Sequence, residues 1–198
     1  MSQSNAAPEN LVLACTPEKT EDRIVLAYEI TNRGAETWFI MDAMVGVDPA
    51  TRQPRLEPDN VTLWQAAAGH ANVLVGWPPV PTDRNVGVRA IPVAVRLAPR
   101  ETLRRRLELP LPLAERSPYF PAANLRDYRI AEITGLALLI DVLPDTAPGL
   151  RVEPVAFAPS HVRALSANMD GDLRRVRASF RTQGLHLMVR TDAYPRPE

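Results

Sequence analysis

The chain has 198 residues with 23 basic and 23 acidic side chains, so it is formally neutral and gross charge selects no partner. Its single cysteine, Cys15, cannot cross-link within the chain, and no charged-then-apolar leader precedes it, which excludes a disulfide-stapled scaffold and points to a reducing, cytoplasmic setting. No apolar run approaches the ~20 residues that span a bilayer, which argues against a membrane protein.

Hydrophobic periodicity is mostly two. In Arg23 to Asn32, residues Ile24, Leu26, Tyr28 and Ile30 share one face and Arg23, Glu29 and Thr31 the other, the pattern of a half-buried strand. The run ends at Asn32-Arg33-Gly34, residue types suited to a tight turn, and Thr37 to Met41 follows at once, so a β-hairpin is expected there. Further strands are predicted over Leu11 to Cys15, Val61 to Gln65, Asn72 to Trp77, Val86 to Leu97 and Thr102 to Leu109. In the second half the candidates are Ile130 to Val142 (interrupted near Gly135), Val152 to Phe157, Leu173 to Phe180 and Leu185 to Arg190, the last two as a hairpin with an open edge.

The segment 110–124, rich in proline, is expected to run as a poorly paired polyproline connection and is a possible sub-boundary inside one domain spanning 10–191. Residues 1–9 and 192–198 read as flexible tails. Asn124 to Glu132 and Ser160 to Ala167 could each form two helical turns or a strand, and helix should stay below roughly 15%. The expected class is all-β, a mainly antiparallel sandwich with a C-terminal β extension.

Two segments carry a family resemblance. Leu26-Ala27-Tyr28-Glu29-Ile30-Thr31-Asn32-Arg33-Gly34 resembles the second strand and turn of bacterial immunoglobulin-like or fibronectin-III-like domains. Val95-Arg96-Leu97-Ala98-Pro99-Arg100-Glu101-Thr102-Leu103 is similar to their strand, Pro-Gly-Glu-Ser/Thr turn, strand unit, with Arg100 where Gly is usual. The resemblance implies a sandwich and transfers no functional residue. A bacterial source also fits the basic residues, of which Lys19 alone is lysine, a bias expected of GC-rich coding.

Sequence support for common chemistries is thin. There is no phosphate-cradling glycine loop, His-Glu-x-x-His, Cys-x-x-Cys or Gly-x-Ser-x-Gly, so no cofactor or metal is implied. Ser160 and His161 with Asp170 and Asp172 hold the residue types of a catalytic triad, but adjacent strand residues point to opposite faces, so Ser160 could reach His161 only if the backbone turns. Asp170-Gly171 reads better as a hairpin turn than as a calcium loop, whose sixth position would hold Leu173 instead of Gly. Within Arg104-Arg105-Arg106, Arg105 shares an apolar stripe with Leu103, Leu107 and Leu109; it should sit at the rim with its head in water or pair with a buried carboxylate, and it is a candidate contact for an anion or a partner. Trp77, beside Pro78 and Pro79, is a candidate contact anchor, and Phe180 lies on the terminal hairpin. Lacking a catalytic set or a net basic footprint for nucleic acid, the chain is expected to be a non-enzymatic protein-interaction module, self-associating as a homodimer. The alternative is an enzyme or ligand-binding sandwich whose site is assembled from distant strands.

Overall fold

Among the described residues, alternation along the chain folds into thirteen strands. The computed structural model describes residues 7–81, 86, 89–120 and 124–191; the tail 192–198, most of the tail 1–9 and part of the expected strand from Val86 lie outside the described residues. The strands are β1 (Leu11–Lys19), β2 (Arg23–Asn32), β3 (Trp38–Val47), β4 (Pro54–Glu57), β5 (Thr62–Ala67), β6 (His70–Val75), β7 (Val93–Leu97), β8 (Thr102–Pro110) and β9 (Leu113–Ala114). After them come β10 (Tyr128–Pro144), β11 (Arg151–Pro154), β12 (Val162–Leu165) and β13 (Arg174–Arg190). Among the described residues, helix is limited to a 3-10 turn at Leu125–Asp127 and one turn, α1 (Met169–Asp172). None is long and apolar enough to cross a membrane.

Two sheets pack face to face. The small one has the order β1-β2-β8, all antiparallel, and the large one runs β11-β12-β7-β3-β10-β13-β9, with β5 and β6 attached to β10 and β4 to β3. The register expected for β2 holds: Ile24, Leu26, Tyr28 and Ile30 are buried and Arg23 and Glu29 exposed. These side chains, with Leu103, Leu107 and Leu109 of β8, meet Ile40, Val73, Val75, Leu136, Leu138 and Ile140 of the large sheet in the main core. Strand β10 is buried on its other face too, where Leu143 joins Phe39, Met41 and Trp77 in a second cluster and Leu139 joins Trp64 and Leu74 in a third. Burial on both faces is why Leu136 to Leu143 is a nearly unbroken apolar run instead of an alternating one.

Four expected connections differ. β2 and β3 form no hairpin, because the chain crosses between sheets there and so does the link from β7 to β8. Asn32 joins the two crossings: its Nδ2 donates to the carbonyls of Glu36 (2.7 Å), Leu97 (3.3 Å) and Ala98 (3.1 Å), and its Oδ1 accepts from Gly34 N–H. Its backbone bonds Glu101 and Arg100, the latter in the left-handed region at φ 66°. The asparagine thus acts through its side chain, which holds an arch, and not through tolerance of a tight turn.

The hairpin expected over Leu173 to Arg190 is one continuous strand. β10 templates both halves of β13, and Thr182, Gln183 and Gly184 bulge opposite Thr134 between the pairs Gly135/Arg181 and Ile133/Leu185. Asp170-Gly171 lies in α1 and joins β12 to β13, strands that are not neighbours, so it is no hairpin turn. The 110–124 segment is better paired than a polyproline linker: Leu113 is buried, Leu63 N–H bonds Arg116 C=O, and Glu115 N–H bonds Met188 C=O.

Asn32→Ala should cost ~2–3 kcal/mol in urea denaturation, since it strands buried carbonyls, whereas Arg33→Ala should cost less than ~0.5 kcal/mol. Equal, small losses would remove Asn32 from its role at the crossings.

Candidate functional site

Alternation on β8 points Arg105 inward beside Tyr28 of β2, its direct neighbour in register. Its guanidinium does not end in water. It forms a two-pronged pair with Asp42 of β3, Nε to Oδ1 at 2.7 Å and Nη2 to Oδ2 at 3.1 Å, and so joins the two sheets. Of the two sequence alternatives, rim placement is corrected to a buried pair, with the Asp42 side chain 6% and the Arg105 side chain 32% exposed. Asp42 sits where the β3/β7 register slips between Met41 and Ala43, the kind of bulge that re-aims a side chain.

The same carboxylate holds a histidine. Asp42 Oδ2 lies 2.7 Å from His161 Nε2, and His161 Nδ1 lies 3.1 Å from Ser160 Oγ. Consecutive turns, Ala158 N–H to Val155 C=O and His161 N–H to Ala158 C=O, bend the backbone so that Ser160 can reach its neighbour. The carboxylate that meets His161 is Asp42, not Asp170 or Asp172, and it lies 119 residues away. In a neutral ring, Nε2–H donates to Asp42 and Nδ1 accepts from the Ser160 hydroxyl, a Ser-His-Asp relay with the two ring nitrogens exchanged relative to the serine-protease arrangement. Ser160 is exposed on a surface turn, and the larger cavities among the described residues are lined by other side chains. Burial pushes the Tyr28 hydroxyl strongly up, with the Asp42 charge adding to it, and burial pushes the Cys15 thiol up to about 11.

The other expected contact residues separate. Trp77 packs in the second cluster and its backbone N–H donates to Asp141 Oδ2 at 2.9 Å. Pro78 is buried and Pro79 exposed, and Phe180 is half-buried against the main core.

Sequence reading missed a cavity, an open trough of about 820 Å³ on the outer face of β6, β10 and β13. Register builds it in rows. One row sets His70, Gly135 and Arg181 side by side, and the next sets Asn72, Ala137 and Ser179. A third carries Leu74, Leu139 and Arg177, where the third apolar cluster closes one end. Small residues form the floor; a Cβ on Gly135 would lie 2.5 Å from His70 Cδ2, so glycine lets that ring lie against the sheet. His70 Nδ1 bonds Ala68 C=O at 3.1 Å, which leaves Nε2 for another partner. Among the described residues, no acidic side chain lines the trough. Arg177 donates to Ser179 Oγ at 2.9 Å, and Arg181 has no hydrogen-bond or ion-pair partner among the described residues. The signal available in sequence was the period-two series Arg175, Arg177, Ser179, Arg181.

Asp42→Ala should destabilise by ~2–4 kcal/mol in denaturant titration, the range for breaking a buried pair reduced for the partial exposure of Arg105, while Ser160→Ala should change stability by less than ~0.5 kcal/mol. Because thiolate is the reactive form, Cys15 should react with a maleimide near neutral pH on the order of 100-fold more slowly than an exposed cysteine; matching rates would show that the thiol is not buried.

Comparison with protein-family models, curated proteins and solved structures gives no match, so function must be argued from this geometry.

Proposed function

We propose that the protein is a non-enzymatic interaction module that binds an anionic partner in the trough on the outer face of β6, β10 and β13. The observation that carries this is a concave surface lined by Arg177, Arg181 and His70 with no carboxylate among its described lining residues, whereas Arg105 and Arg175 are each paired with a buried acid. Arg175 belongs to that paired group, bound to Asp141 two residues from Arg177. A guanidinium without an acid of its own, held over a floor of small residues, suits a carboxylate from another molecule. The Arg105-Asp42-His161-Ser160 network is then an inter-sheet clamp. Two features support an immunoglobulin-like or fibronectin-III-like frame for the sandwich: the crossing at Asn32 and the Ala98 to Glu101 turn with Arg100 in the glycine conformation.

Fluorescein-labelled hexaglutamate should bind the intact chain in an anisotropy titration at low salt. The double variant Arg177→Glu, Arg181→Glu should weaken binding at least ~10-fold, and His161→Gln should leave it within ~2-fold. No binding by the intact chain, or unchanged binding by the double variant, would overturn this assignment.

A further inference from the structure

The trough is bordered on one side by the free edge of β13. Over residues 174–180 this strand pairs only with β10; its other neighbour, β9, reaches Leu187 and Met188 alone, and β1 approaches the far end through Pro17 and Lys19 near Thr182 and Gln183. Half of the backbone N–H and C=O groups of this stretch therefore face outward with no ladder partner among the described residues. Side chains along the edge are sorted by face. Arg177, Ser179 and Arg181 point to the trough side, while Val176, Ala178 and Phe180 point to the core side, where Val176 is buried and the other two are partly exposed.

We infer that this edge accepts an extended segment of another protein as an added strand, and that the segment is acidic at alternate positions. The inference rests on the anionic-partner reading of the trough and names the form the partner takes. A strand added to β13 runs ~4.8 Å away with the same two-residue period, so its outward side chains fall opposite Arg177, Ser179 and Arg181. Carboxylates opposite the two arginines are then four residues apart, ~13 Å along the strand, with a small residue between them opposite Ser179. The intervening side chains turn toward Ala178 and Phe180 and should be apolar. The matching pattern is acid, apolar, small, apolar, acid.

A second copy of this chain is the poorer occupant. Antiparallel self-pairing centred on Ser179 sets Arg177 of each copy against Arg181 of the other, and like charges directly opposite destabilise a pair. Electrostatics thus closes the edge to self-association and leaves it open to an acidic strand, the discrimination that a charged edge provides.

Two labelled, amidated peptides of equal charge test this: Glu-Val-Ser-Val-Glu-Val and the same sequence N-methylated at every backbone amide, the second unable to donate the ladder hydrogen bonds in either strand direction. The first should bind at least ~10-fold tighter than the second, should protect amides of residues 174–180 from hydrogen exchange, and should lose at least ~10-fold in affinity with Arg177→Glu, Arg181→Glu. Equal binding of both peptides that still depends on the two arginines would overturn strand addition and leave the trough assignment standing. Failure of both peptides and of hexaglutamate would overturn the trough assignment itself. Concentration-dependent protection of the same amides in the protein alone, with a dimer mass by light scattering, would make a second copy the occupant and overturn the inference.

Discussion

Strand β10 must be covered on both faces, and most of the architecture follows from that. Apart from Asp141, its residues Leu136 to Leu143 are apolar on either side of the pleat, so a single sheet packed on one face would leave Leu139 and Leu143 in water. One cover is the small sheet. The other is assembled piecemeal: Trp77 and Leu173 close over Leu143, and Trp64 with Leu74 over Leu139. The outer cover stops short of Gly135 and Ala137, the two smallest residues of the buried stretch, which lose little by having only a trough above them. The cavity therefore lies where the demand for a second cover ends.

Between the sheets, polar side chains fix what apolar packing leaves free. A sandwich core of Leu, Ile and Val tolerates sliding, because dispersion and burial are nearly indifferent to small shifts. Asn32 and Asp42 are not indifferent, since a buried amide or carboxylate loses its partners within an ångström or two. Asn32 bonds three carbonyls across two crossings, and Asp42 takes three donors from Arg105 and His161. Glu115 does the same between β5 and β13, accepting the backbone N–H of Gln65 and of Arg190, each at 2.8 Å. At Asp141 burial pushes the carboxyl group up while Arg175 pulls it down, so the carboxylate there depends on its arginine. Such groups add little net stability, yet each makes the wrong alignment expensive.

Legibility in the sequence divides along this same line. Strands with one wet face, β2 and β8 above all, announce themselves through alternation, and even the inward place of Arg105 follows from it. Connections do not. Asn32-Arg33-Gly34 carries the residues of a tight turn, and nothing local shows that the asparagine will hold an arch to a segment 65 residues away. Asp42 gave no sign of pairing with Arg105 or His161, because it lies in an apolar run and its partners come from β8 and from the turn before β12. Ser160 and His161 drew attention through their residue types, but the acid assigned to them was the nearest in sequence instead of the nearest in space. The trough escaped for a related reason: its arginines alternate with apolar residues on β13 and look like any solvated face until register brings Gly135, Ala137 and His70 beside them.

The neutrality of the chain bears on how such a trough could bind. With 23 charges of each sign there is no net field to draw a partner from beyond ~10 Å at physiological salt, so charge here acts at contact and not as long-range steering. Two guanidinium groups without a carboxylate partner among the described residues then matter through where they stand and not through how many they are. Their spacing is set by the strand that carries them, and the strand is held straight along β10 by the two-faced burial with which the architecture begins. A ligand matched only in charge could satisfy either arginine, whereas an extended chain with the period of a β-strand could satisfy both together with the free backbone edge between them. Specificity in this arrangement is a property of strand geometry, with the arginines reporting the match.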